Sequence, residues 1–160
     1  MYVFVAILLL FTSGSTIAQR NSDLEKNKDL IQAYEDDCIN QQNIDAFDKF
    51  FDAGFIMHQA GGDINYEQQK GFLGAVFIAF PDLHETSDVL VAEGDQVARV
   101  YTAKGTFKNE FNGIPPTEKQ VVVKGIQVFR IEDGKITEVW SSSDNLGMMQ
   151  QLGVIPPMGE

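Results

Sequence analysis

At 160 residues, with 44% hydrophobic and 22% charged side chains, the chain is long enough to fold as one globular domain around its own core. Its formal net charge of -11 argues against nucleic acid and anionic membrane surfaces as partners, because their phosphates would repel it. The single cysteine, Cys38, rules out an intrachain disulfide, and the two histidines form no cluster at metal-ligand spacing, so no metal site is expected.

Val3 to Phe11 is an apolar run, Thr12 to Ser15 is small and polar, and Thr16 and Ala18 are the small residues of a cleavage site before Gln19. This pattern predicts a signal peptide over 1–18, a single domain over 19–160, and a secreted or periplasmic product. The n-region departs from the usual pattern in having no Lys or Arg. The apolar run is shorter than the roughly 18 to 20 residues that span a bilayer, so no membrane attachment is expected once the leader is removed.

Leu24, Leu30, Ile31, Tyr34, Cys38 and Ile39 recur with helical spacing and predict a helix over Asp23 to Asn40, with Ser22 and Glu25 as a capping box. Cys38 sits among Asp36 and Asp37, which disfavour a reactive thiolate. Asn43 reads as the N-cap of a second helix through Phe51, which Gly54 ends. A short strand, Phe55 to Gln59, and a turn, Ala60 to Asp63, lead to a third helix from Tyr66 to Phe80, stopped by Pro81.

Strands follow. The first is Leu83 to Ala92; the second is Val97 to Phe107, with Val97, Arg99, Tyr101, Ala103, Gly105 and Phe107 on one face. Val121 to Arg130 is apolar on both faces, which predicts a strand inside a sheet covered above and below. On its odd face Gln127 needs hydrogen-bond partners and Gly125 leaves a gap, which together suggest a pocket. An Asp133-Gly134 turn joins this strand to the last one, and a short amphipathic helix closes the chain. Helices first and a meander after them predict an α+β fold, a curved antiparallel sheet wrapped over three N-terminal helices.

VAEGDQVA at Val91 to Ala98, Gly105-Thr106, EFNGIPPTEKQV at Glu110 to Val121, FRIEDGKITEVW at Phe129 to Trp140 and DNLGMMQQLG at Asp144 to Gly153 resemble the SnoaL-like polyketide cyclases, or ester cyclases, of the NTF2-like superfamily. The resemblance covers essentially all of the mature chain. It implies an NTF2-like cone whose mouth holds an apolar pocket, no cofactor, and a homodimer or homotetramer joined through sheet surface. In the cyclases an inward Asp acts as acid and base in an aldol ring closure; aligning DGKI and the terminal LG puts that position at Ser141. A serine hydroxyl cannot deprotonate a carbon acid without a neighbouring base. Further pocket positions of the cyclases align with Gln127 and Gly125, and an early-strand asparagine aligns with Met57, next to His58. Phe107 stands where many relatives have His.

His58 is the candidate proton carrier, since its ordinary pKa lies near neutrality; a structural or rim histidine is the alternative. Asp144 is the carboxylate nearest Ser141, and it also sits where the terminal helix needs an N-cap. Asp63 is either a partner for His58 or a turn residue. Tyr101 and Trp140 contact a ligand or belong to the core, and Gln127 orients a ligand oxygen. Neither a glycine-rich nucleotide loop nor a nucleophile elbow is present. Three readings remain open: cofactor-free acid-base chemistry on a small carbonyl or lactone-type compound, an exported non-catalytic module that binds a small apolar ligand, and a structural dimer whose pocket is filled by side chains.

Overall fold

A computed structural model describes the backbone of residues 4–156 and the side chains from Ile17 onward. The expected leader therefore lies largely outside the described side chains. Helix α1 (Phe4–Tyr34) runs without a break into a π-helical turn, Glu35–Asn40. Ser22 and Glu25 fall inside α1, where backbone bonds already engage the N–H groups, so the expected capping box does not form. No helix among the described residues is long and apolar enough to cross a membrane.

Helix α2 (Phe47–Phe50) follows a 3-10 turn, and the chain passes directly into β1 (Phe51–His58). The strand thus starts earlier than the spacing predicts. Phe50 and Phe51 are both buried, one ending a helix and the other starting a strand, so two elements together mimic one helical stripe. Asn43 stands at the predicted N-cap position but makes no capping hydrogen bond. The turn after β1 returns as a two-residue strand, β2 (Ile64–Asn65), and Asn65 with Gln68 forms the capping box of α3 (Tyr66–Ala79).

The longer strands are β3 (His84–Glu93), β4 (Gln96–Thr106), β5 (Gln120–Glu132) and β6 (Lys135–Ser143), followed by α4 (Asn145–Leu152). The sheet order is β2-β1-β6-β5-β4-β3, one curved sheet of six strands. All neighbours are antiparallel except β1 and β6, which are parallel, with Met57 opposite Val139 and His58 opposite Trp140. The β5–β6 turn holds Asp133 and Gly134 at φ 51° and 74°, the double positive φ of a tight hairpin turn.

Helices α1 and α3 fill the concave side of the sheet. The main core joins Ile31, Phe47, Phe55, Phe129, Ile136 and Val139, with Phe47 and Phe51 stacked at 4.0 Å. A smaller cluster around Phe80, Phe107, Val121 and Leu152 closes the far end. The expectation that β5 is covered on both faces holds on one side only. On the convex side Val89, Val91, Val122 and Ile126 are exposed, Ile126 by 55%, because every described helix packs on the concave side or the rim.

Candidate functional site

Alternation along β4 sends Arg99, Tyr101 and Ala103 into the concave side, beside Val123 and Gln127 of β5. With Ser141 and Ser143 of β6 and side chains from α1 and α3 they enclose a cavity of about 560 Å³. That lies within the roughly 300 to 1,000 Å³ of small-molecule sites. Its walls are mainly apolar and its floor is charged.

The floor centres on Arg99, which is only 2% exposed and so must find its counter-charges inside the protein. Its Nη1 donates to Glu35 Oε2 at 3.0 Å and its Nη2 to Glu85 Oε2 at 2.8 Å. Nε and Nη2 also donate to Gln127 Oε1, at 3.2 and 2.7 Å. The guanidinium carbon sits 4.7 Å from the centre of the Tyr101 ring and 5.6 Å from that of Phe129, close enough for cation-π attraction.

The π-helical turn builds this floor. It carries Glu35 inward, where the Ser87 amide donates to Oε1 at 3.2 Å and the Ser87 hydroxyl donates to Oε2. At its other end Asn40 clasps the backbone of Glu85: Nδ2 donates to the carbonyl at 3.1 Å, and Oδ1 accepts from the amide at 2.8 Å. Turns of this kind recur at functional sites. Burial pushes the Glu85 carboxyl above the usual carboxylate range, and the Arg99 guanidinium offsets only part of that rise. Glu85 Oε1 makes no hydrogen bond among the described residues.

The gap left by Gly125 is already filled. A Cβ there would stand 2.5 Å from the Tyr101 ring, so glycine is what lets Tyr101 lie flat across β5. The Tyr101 hydroxyl meets Ser143 Oγ at 2.8 Å, and burial raises the pKa of the phenol, which keeps its proton.

Of the residues singled out from the sequence, Met57, Tyr101, Gln127 and Ser141 line the cavity. Gln127 is less free than expected. Arg99 holds its oxygen and its amide nitrogen points to Ser141 Oγ at 3.5 Å, so it supports the floor rather than offering an open amide. His58, Trp140 and Asp144 are not in the lining. Because Met57 points inward, its neighbour must point outward, and the His58 ring stacks on Trp140 at 5.2 Å on the convex face. There His58 Nδ1 pairs with Asp63 Oδ1 at 2.9 Å and Nε2 lies 3.6 Å from Glu138 Oε1. The Asp63 hydrogen bond raises the imidazole pKa above its ordinary value. Asp144 caps α4, its Oδ1 accepting from the Gly147 amide at 2.8 Å. Proton transfer inside the cavity therefore has no geometric support at His58 or Asp144.

Comparison with known proteins follows the same lines. The profile described as SnoaL-like polyketide cyclase matches residues 28–152. The chain belongs to the SnoaL-like polyketide cyclase family. Among solved structures, this SnoaL-like chain superposes on AclR, a candidate hydroxylase from Streptomyces galilaeus, with a TM-score of 0.79 at 23% identity, covering 86% of this chain and 87% of that one. It superposes on IdmH, a candidate polyketide cyclase from Streptomyces antibioticus, with a TM-score of 0.69 at 28% identity over 79% and 98% of the two chains. A SnoaL-like polyketide cyclase from Agrobacterium tumefaciens gives 0.66 at 26% identity over 79% and 98%. No curated protein matches the sequence at a significant level. These relatives establish the NTF2-like fold and a family that takes small molecules.

Sequence reasoning on this SnoaL-like chain passes over Glu35, Glu85 and Arg99. One signal was available: Arg99 sits between Val97 and Tyr101 on an inward face, and a buried cation requires carboxylates. Cys38 is buried, and burial, with a smaller contribution from Asp37, pushes its thiol up to about 12, which disfavours the thiolate.

Proposed function

We propose that the protein carries out cofactor-free acid-base chemistry on a small carbonyl or lactone-type compound held in this cavity, with Glu85 as the proton carrier. One observation carries the reading: Glu85 is a cavity-lining carboxylate with one oxygen anchored on Arg99, the other unpaired, and an affinity for protons raised by burial. Glu85 Oε1 takes a proton from the carbon beside the carbonyl. The C–H electron pair becomes the enolate double bond, and the carbonyl π pair moves to oxygen, which the Tyr101 hydroxyl stabilises by donating a hydrogen bond. Returning the proton to carbon reverses the step. Ser141, aligned with the cyclase aspartate, then serves as a hydrogen-bonding wall rather than a base.

The test is deuterium exchange of α-tetralone in heavy water, followed by NMR. The wild type is expected to exchange the hydrogens beside the carbonyl, and Glu85→Gln to slow this by about 10²- to 10⁴-fold. Exchange that continues undiminished in Glu85→Gln removes Glu85 from the mechanism. A second reading, a non-catalytic binding module, is favoured by Ser141, the lining residue that the resemblance aligns with the cyclase aspartate, which cannot act as a base by itself. On that reading the wild type binds α-tetralone without exchange, and Glu85→Gln binds it equally well.

Export and self-association belong to the same proposal. The leader-like residues 1–18 support secretion or passage to the periplasm, with a mature domain over 19–160; a native protein whose first residue is Gln19 would bear this out, and a retained Met1 would refute it. The exposed strip of Val89, Val91, Val122 and Ile126 supports a homodimer through the convex face. Sedimentation as a monomer at all concentrations would refute that pairing.

A further inference from the structure

Two buried polar side chains of the cavity have no protein partner among the described residues. Tyr34, at the end of α1, is 5% exposed, and Gln69, in the first turns of α3, is 7% exposed; both line the cavity. Among the described residues neither the Tyr34 hydroxyl nor the Gln69 amide makes a hydrogen bond, although every other polar group of the floor is paired at least once. The polar atoms sealed away without a partner among the described residues are the hydroxyls of Thr117 and Thr137, so those of Tyr34 and Gln69 open onto the cavity. Both face a space of ligand size with their hydrogen-bonding capacity unspent, where a ligand can meet them.

Each side chain specifies what it can meet. The Tyr34 phenol is held well above its ordinary pKa, by burial first and then by the nearby Glu85 carboxylate, so it keeps its proton and donates. An acceptor oxygen such as a carbonyl completes it. The Gln69 amide both donates and accepts, and a hydroxyl answers both halves. The floor sets the charge. Glu35 and Glu85 outnumber Arg99, whose Nε, Nη1 and Nη2 are all engaged, so no free cation is left to receive an anion there. Lys104, the other cation of the lining, stands exposed at the rim.

We propose that Tyr34 and Gln69 are the recognition residues of the cavity and that they select a neutral molecule bearing a carbonyl and a separate hydroxyl, while carboxylates are turned away. This rests on the reading of the cavity as a small-molecule site, but not on proton transfer by Glu85.

Affinities of the full-length protein for tetralin, α-tetralone, 4-hydroxy-α-tetralone and α-naphthoate, measured by ligand-observed NMR, test it. The wild type is expected to prefer the hydroxyketone to the ketone and the ketone to tetralin, with α-naphthoate no tighter than tetralin. Tyr34→Phe should weaken both ketones by about 2- to 12-fold, the worth of one hydrogen bond, and leave tetralin unchanged. Gln69→Leu should erase only the advantage of the hydroxyketone over the ketone. Neither variant breaks a protein hydrogen bond, so both should keep the wild-type melting temperature. Wild-type affinities that are flat across the four probes, no binding at all, tightest binding of the carboxylate, or variants that retain the full preference would each overturn the proposal. Loss of deuterium exchange alongside preserved affinity ratios would instead remove only the proton-transfer reading.

Discussion

Arg99→Met is expected to destabilise the fold by about 3 to 5 kcal/mol at neutral pH, the cost of removing one partner from a buried ionic group. Among the described residues the Arg99 guanidinium is the only cation in a salt bridge with Glu35 or Glu85, and without it two buried carboxylates lose their paired counter-charge. The pH dependence has a definite sign. The folded pKa of Glu85 is already raised, so the native state binds its proton more tightly than the unfolded chain does. Stability from this group is therefore fully present below the ordinary glutamate pKa and declines as pH rises through the higher folded value. Removing Arg99 extends that window upward, and the variant should regain part of its loss on acidification. Adding Glu35→Gln and Glu85→Gln should also recover much of it, since an uncharged core can match an ion triad. Urea unfolding at several pH values reads all three effects. A loss under about 1 kcal/mol, or a loss that deepens in acid, would contradict the account of the floor.

Phe129→Ala is expected to cost a similar amount, about 3 to 5 kcal/mol, for a different reason. Phe129 is buried where the main core meets the cavity floor, with its ring edge-on to Tyr34 at 6.5 Å and close to Arg99. Deleting the ring leaves a void that the stiff sheet cannot close, and the void adjoins charged groups. Water entering it would relieve part of the desolvation of Glu85, so the carboxyl pKa should move back toward its ordinary range. Carbon-detected NMR of the Glu85 carboxyl in this variant reads that shift. A stability loss with no change in the Glu85 titration would mean that Phe129 does not seal the floor.

The strands were legible because their signal is local. Val121 to Arg130 is rich in β-branched residues, and Asp133-Gly134 can hardly be anything but a tight turn, so β5 and β6 follow from sequence alone. The two-residue β2 and the parallel pairing of β1 with β6 are not local, because both depend on where distant segments meet. The misplacement of His58 has another origin. Met57 and His58 are adjacent on one strand, and a period of two forbids both from facing the same pocket. Resemblance to the cyclases placed the pocket at Met57, and that alone puts His58 on the convex face. Glu35 was hidden by its company. Glu35-Asp36-Asp37 reads as a solvated acidic stretch, but the π-helical turn rotates Glu35 inward while Asp36 stays exposed. Nothing in local spacing announces a π turn.

On this account, chemistry or binding happens inside the cone, over the Arg99 floor, and not at His58 with its neighbours Asp63, Glu138 and Trp140 on the convex face. A crystal structure of the protein soaked with 4-hydroxy-α-tetralone tests it most directly. The account predicts the ligand inside the cavity, its carbonyl oxygen within hydrogen-bond distance of a Tyr34 or Tyr101 hydroxyl and a carbon beside that carbonyl facing Glu85 Oε1. A ligand bound against His58 and Trp140 with the cavity unoccupied would contradict it.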